Sequence, residues 1–181
     1  MPRPRRIHIP GVSVHVYQRG ANRSVTFFDD EDFEKFEALT VESTRAYDVI
    51  VHAFTLMTNH YHLVVTPKDQ RALSRVVHSL AGEYSRYHNR KYTRIGPTWN
   101  GRYGASLLSD ERYFLGCLRY VEKNPVTASI VETPEAYRWS SYRFHAMGEP
   151  SSWLVFHDLY LRLGPTPGTR QTAYRAMFAG D

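Results

Sequence analysis

Hydrophobic and polar positions change period several times along the chain. Residues 11–20, GVSVHVYQRG, alternate Val12, Val14 and Val16 with Ser13, His15 and Tyr17, the period-two pattern of a strand with one face turned inward. Residues 29–47, DDEDFEKFEALTVESTRAY, open on acidic side chains that suit a helix N-terminus and repeat Phe33, Phe36, Leu39 and Thr40 at helical spacing. YDVIVHAFTLM (47–57) and HYHLVV (60–65) are rich in β-branched and aromatic residues. Thr58 and Asn59 between them suit a tight hairpin turn.

From Lys68 to about Tyr92, Leu73, Val76, Val77, Leu80 and Tyr84 fall on one side of a helix, which GPTWNG (96–101) breaks. RYGASLL (102–108) supplies a last short strand. Ser109 and Asp110 are N-cap candidates for a helix over ERYFLGCLRYVEKN, expected to end at Asn124 because Pro125 disfavours helix in the residue before it. The order β-α-β-β-α-β-α predicts an α+β chain. It matches a ferredoxin-like antiparallel sheet with helices on one face and an added C-terminal helix that must dock somewhere. We expect one domain over 1–145 and a helical tail over 146–181, with short helices near Phe156–Leu163 and in RQTAYRAMF (170–178). No internal repeat or low-complexity tract interrupts this.

Composition narrows the class. Of 181 residues, 23 are Lys or Arg and 18 Asp or Glu, a formal net charge of +5, which favours a polyanionic partner. Cys117 is the only cysteine, which excludes an intramolecular disulfide and a multi-cysteine zinc site and fits a reducing cytosol. The basic start MPRPRRIHIP is not followed by a signal-like apolar stretch, and no apolar run reaches membrane length. A cytoplasmic location without a membrane partner is expected.

The candidate chemistry lies in two places. His60 and His62 are two apart in a strand, so they project from the same face, roughly 6 to 7 Å apart at Cα. They can be ordinary buried histidines, as His52 can, or they can converge on one metal ion, which then needs a third ligand. In the helix after Asp110, Phe114, Cys117, Leu118 and Val121 form the buried stripe, while Tyr113, Tyr120 and Asn124 line its border. Tyr120 and Asn124 are one turn apart and face the same way.

TNHYHLVV, followed about sixty residues later by RYVEKNPV, resembles the single-tyrosine HUH transposases of the IS200-like superfamily, and within it the REP-associated tyrosine transposases. YQRGANRSVTFF, WNGRYGASLL and YRWSSYR extend the likeness over residues 14–143, and SSWLVF and AYRAMF carry it more loosely to the end. The resemblance implies a ferredoxin-like fold, metal-binding histidines at His60 and His62, an amide oxygen ligand at Asn124 and a nucleophile at Tyr120. The implied cofactor is Mg²⁺ or Mn²⁺, with two imidazoles favouring tolerance of Mn²⁺. The implied partner is single-stranded or hairpin DNA, cleaved and rejoined through a 5′-phosphotyrosine. The mobile-element branch carries glutamine where this chain has Asn124 and works as a helix-exchanging dimer. Asn124 therefore points to the REP-associated branch and a monomer, with a dimer as the alternative. The competing function is a hairpin-binding regulator that does not cleave.

Nucleic-acid contacts are expected from Arg71, Arg75, Arg86, Arg90, Lys91, Arg94 and Arg102, which face a single acid, Glu83, across residues 71–102. Tyr84, Tyr87, Tyr92 and Trp99 are interleaved as stacking surfaces. Arg3, Arg5 and Arg6 form a short basic arm kept extended by Pro2 and Pro4.

Overall fold

The structure is a computed structural model that describes residues 8–179. The expected basic arm at Arg3, Arg5 and Arg6 lies outside the described residues. Strands Val14–Arg19 (β1), Val49–Met57 (β2), His60–Pro67 (β3) and Gly104–Leu107 (β4) form one antiparallel sheet in the order β2-β3-β1-β4. This is the ferredoxin-like arrangement. β1 and β3 are central, and their register sets Tyr17 opposite His62 and Arg19 opposite His60.

Two helices, Asp30–Ala46 (α1) and Ala72–Lys91 (α2), cover one face. Phe33, Phe36 and Leu39 of α1 and Leu73, Val76, Val77, Leu80 and Tyr84 of α2 pack on Val14, Val16, Tyr61, Leu63 and Val65. The first helix starts where its acids predict, with the Asp29 side chain accepting from Asp32 N. The second starts four residues later than expected. Asp69 Oδ1 accepts from the backbone N–H groups of Arg71 and Ala72, so Lys68 to Arg71 form a turn in place of a first helical turn.

The sheet's other face is covered by Glu111–Thr127 (α3). Its stripe of Phe114, Cys117, Leu118 and Val121 packs on Ala53 and Val64. A register shift between Val51 and Ala53, with His52 as the extra residue, turns Ala53 and Thr55 toward this helix. Asp110 caps it by accepting from Tyr113 N. Its end corrects the sequence expectation, because it runs through Pro125 to Thr127. Proline has no N–H to give to the Val121 carbonyl four residues back. The Thr55 hydroxyl lies 2.8 Å from that carbonyl and takes the place of the missing donor. Pro125 therefore stays inside the helix at reduced cost, and the same hydroxyl ties α3 to β2.

Three shorter helices follow, Tyr142–Met147 (α4), Asp158–Leu161 (α5) and Pro167–Ala176 (α6). Tyr142, Ala146, Tyr160 and Tyr174 from them join the core beneath α3. Among the described residues no helix is long and apolar enough to cross a membrane.

Candidate active site

His60, His62 and Val64 alternate with Tyr61, Leu63 and Val65 along β3. The second set faces α1 and α2, so the first faces α3. The same alternation on β1 buries Val14 and Val16 under α1 and α2 and turns His15, Tyr17 and Arg19 to the side of the histidine pair. Docking of α3 over this surface leaves a cleft of about 660 Å³. It is lined by His15, Tyr17 and Arg19 of β1, His60 and His62 of β3, Tyr120 and Asn124 of α3, and Asn100, Arg102 and Gly104.

The rings make a close cluster. His60 and His62 have centroids 5.1 Å apart and nearly perpendicular planes. Tyr120 stands edge-on to His62 at 5.6 Å and to His15 at 5.9 Å. It is the exposed member, 56% accessible, whereas His62 is 5% accessible. Asn124 donates Nδ2 to the Tyr120 carbonyl at 2.9 Å, which holds its amide on the cleft side of the helix. Gly104 makes room for Tyr17, because a Cβ there would lie 2.1 Å from Cζ of the ring.

Burial governs the ionisation of the three imidazoles. It pulls His15 and His60 down to about 4. His62 falls to about 2, through burial first and then the neighbouring His15, His60 and Arg19. All three are neutral at physiological pH, the state in which an imidazole nitrogen can bind a cation. Among the described residues no three His, Cys, Asp or Glu side chains form a cation-binding group. A metal ion at His60 and His62 therefore needs a ligand of another type, and the Asn124 amide is in place to supply an oxygen. Two neutral imidazoles and an amide oxygen suit a divalent ion of intermediate softness.

The structure thus brings His60, His62, Tyr120 and Asn124 into one cleft and distributes the expected nucleic-acid contacts unevenly. Arg102 lines the cleft. Arg71 in the turn before α2, Arg75 and Arg90 on α2 and Arg94 in the loop after it are exposed outside the cleft, and Arg86 is ion-paired with Glu83. Lys91 is held by Asp29, Glu31 and Asp32 at 2.8 to 3.0 Å. Trp99 is 7% exposed, its ring packed among Phe27, Phe36, Tyr61 and Tyr84. Tyr84 is buried, and Tyr87 and Tyr92 donate to Asp32. These aromatic rings and Lys91 serve the fold. Sequence reasoning passed over His15, Tyr17 and Arg19 as cleft residues. Their signal was the alternation of the first strand, which needs its pairing with β3 before it points anywhere.

The model of the IS200-like transposases matches residues 9–124, a span that contains both histidines and Tyr120 and ends on Asn124. The chain belongs to the IS200-like transposase family. No curated protein matches its sequence at a significant level. Among solved structures it is similar to a REP-associated tyrosine transposase bound to a REP hairpin, with 16% identity, a TM-score of 0.66, and 87% of this chain and 93% of that one covered. It is less similar to a Deinococcus radiodurans R1 protein described as a putative transposase, with 17% identity, a TM-score of 0.47, and 68% of this chain and 97% of that one covered. The likeness to the first of these supports the ferredoxin-like fold of this family member.

Proposed function

We propose that the protein is a metal-dependent endonuclease and strand-transferase acting on single-stranded DNA that contains a hairpin, with Tyr120 as the nucleophile. The observation that carries this is one cleft in which the exposed Tyr120 stands edge-on to the buried, neutral His62, with His60 beside His62 and Asn124 one helical turn from the tyrosine. Family membership supplies the transposase class.

His60, His62 and Asn124 would hold Mg²⁺ or Mn²⁺. Such an ion, when bound, supplies Lewis-acid polarisation of the scissile phosphate and stabilises the charge that develops on the departing 3′ oxygen. Arg19 and Arg102 add fixed positive charge at the cleft, suited to the phosphates on either side of the reacting one. Packing of α3 fixes the Tyr120 backbone, so its phenol swings over a small arc close to the histidines and little motion is lost on attack. The Tyr120 oxygen forms a bond to phosphorus and the bond to the 3′ oxygen breaks, giving a 5′-phosphotyrosine and a free 3′ hydroxyl. The phenol proton is transferred, in net terms, to that hydroxyl. The phosphotyrosine conserves the bond energy, so a second 3′ hydroxyl can displace Tyr120 and rejoin the strand without a nucleotide cofactor.

Incubation with single-stranded hairpin DNA and Mn²⁺ should give an SDS-resistant protein–DNA adduct, lost on chelation and lost in Tyr120→Phe. An adduct that persists in Tyr120→Phe overturns the nucleophile. Tight hairpin binding without any adduct, in the presence of metal, overturns the enzyme in favour of a binding protein.

A further inference from the structure

Both candidate metal-binding imidazoles are held through the same ring nitrogen. His60 Nδ1 lies 2.7 Å from Asn59 Oδ1, which can only accept, so His60 carries its proton on Nδ1 and the lone pair is on Nε2. Asn59 is fixed in that orientation because its Nδ2 donates to the Arg23 carbonyl at 3.2 Å. His62 Nδ1 lies 2.9 Å from His15 Nε2. Two neutral imidazoles at that distance share one hydrogen, and either ring can be the donor. The His60 side of the cleft removes this ambiguity. An ion bound by His60 Nε2 meets His62 through Nε2 as well, and the His62 proton is then on Nδ1, donated to His15.

We propose that His15 is a positioning residue that accepts the Nδ1 hydrogen of His62, as Asn59 does for His60, so that both imidazoles present Nε2 lone pairs to one divalent cation. This rests on the metal-binding role of His60 and His62 proposed above. His15 is well built for the task. It is 8% exposed, and its ring is stacked on His62 at an interplanar angle of 21° and closed off by the Tyr120 edge. It lies on β1 two residues from Tyr17, the register partner of His62, and on the same face, so the sheet holds the two rings together. Outer partners of this kind fix the tautomer and orientation of a ligating histidine, and removing one typically weakens metal binding 10–100-fold.

Long-range ¹H–¹⁵N spectra of the ¹⁵N-labelled full chain at pH 7.5 read the tautomers directly and need no variant. The expected result, with Mg²⁺ bound, is Nδ1–H on both His60 and His62. A proton on Nε2 of His62 overturns the proposal. Mn²⁺ titration, followed by calorimetry and by electron spin-echo modulation from bound nitrogens, then compares the wild type with His15→Phe, which keeps a ring without an acceptor, and His15→Gln, which returns an acceptor near the lost Nε2. Affinity should fall roughly 10–100-fold in His15→Phe and largely recover in His15→Gln, with two coordinated imidazole nitrogens throughout. Wild-type affinity in His15→Phe overturns the positioning role alone. Three nitrogens in the wild type and two in the variants make His15 a ligand and overturn it too. A wild-type protein that takes up no Mn²⁺ overturns the metal-dependent function and this inference with it.

Discussion

At the scale of single residues, the cleft depends on what is small as much as on what is reactive. Tyr17 lies over Gly104 because no side chain occupies that position of β4, and an added Cβ would meet the ring at 2.1 to 2.5 Å. The atoms in conflict belong to the outer part of the ring, which can rotate away, so the fold itself tolerates the change. Tyr17 lines the cleft with His62, whose ring it approaches at 6.0 Å, so a ring displaced toward His62 would intrude on that cleft. Gly104→Ala should therefore leave the melting temperature nearly unchanged while lowering adduct formation on the order of 10–100-fold, the cost of a misplacement of about an ångström at a reacting centre. Tyr17→Ser in the same chain should recover part of the loss. Quantified adduct yield, set beside a thermal melt of each variant, checks this. A normal yield in Gly104→Ala would show that Tyr17 moves toward solvent.

At the scale of elements, α3 is held to the sheet by an exchange between a proline and a threonine 70 positions apart in the chain. Thr55 Oγ1 is equally close to the Val121 and Phe54 carbonyls, but Phe54 O already accepts from Ser141 N at 3.0 Å. The hydroxyl hydrogen is therefore needed at Val121, where Pro125 provides none. Thr55→Val keeps the side-chain shape and removes the donor, leaving a buried carbonyl without a partner, and should cost about 1–3 kcal/mol of stability. In a Pro125→Ala background the helix regains its own donor, so the cost of Thr55→Val should shrink. Urea denaturation of the two single variants and the double variant measures the coupling, and additive losses would contradict it. This device also explains where sequence and structure part. The strands and first helices up to Asp110 follow from local periodicity, and the pairing of His60 with His62 on one face and of Tyr120 with Asn124 on another is equally local. The continuation through Pro125 depends on Thr55, a residue that is silent until the strand and helix are apposed. The same holds for His15 and Arg19, which join the cleft only through the β1–β3 register, and for Lys91 and Trp99, whose exposure a charge or aromatic count along the chain does not report. The six-residue α4 is too short for a periodic signal and is stabilised by its packing.

At the scale of the whole molecule, the C-terminal helices meet the tyrosine helix through one buried acid. Glu122, two residues after Tyr120, is fully buried on the side of α3 opposite the cleft, and its carboxyl group takes hydrogen bonds from Ser141, from His145 Nδ1 at 2.7 Å and from the Tyr174 hydroxyl at 2.6 Å. Three donors from the segment after α3 thus converge on the helix that aims Tyr120, and Tyr160 adds a bond of its own to the His145 carbonyl at 2.6 Å. Without these bonds α3 would be anchored by its apolar stripe and the single Thr55–Val121 hydrogen bond, a set that fixes depth better than rotation, because side chains of similar size can slip past each other while directed hydrogen bonds cannot. Rotation about the helix axis is the motion that moves Tyr120 relative to His62, so the tail bears on the chemistry without touching the cleft. Tyr174→Phe removes one donor and no volume from the apolar contact. It should cost about 1–3 kcal/mol, since an oxygen of a buried acid loses its partner, and amide exchange across residues 111–127 should accelerate more than exchange in β1 and β3. Hydrogen exchange read by mass spectrometry on the intact chain separates these regions. Faster exchange confined to residues 167–176, with α3 unchanged, would mean that the tail is held by the tyrosine helix without steadying it in return.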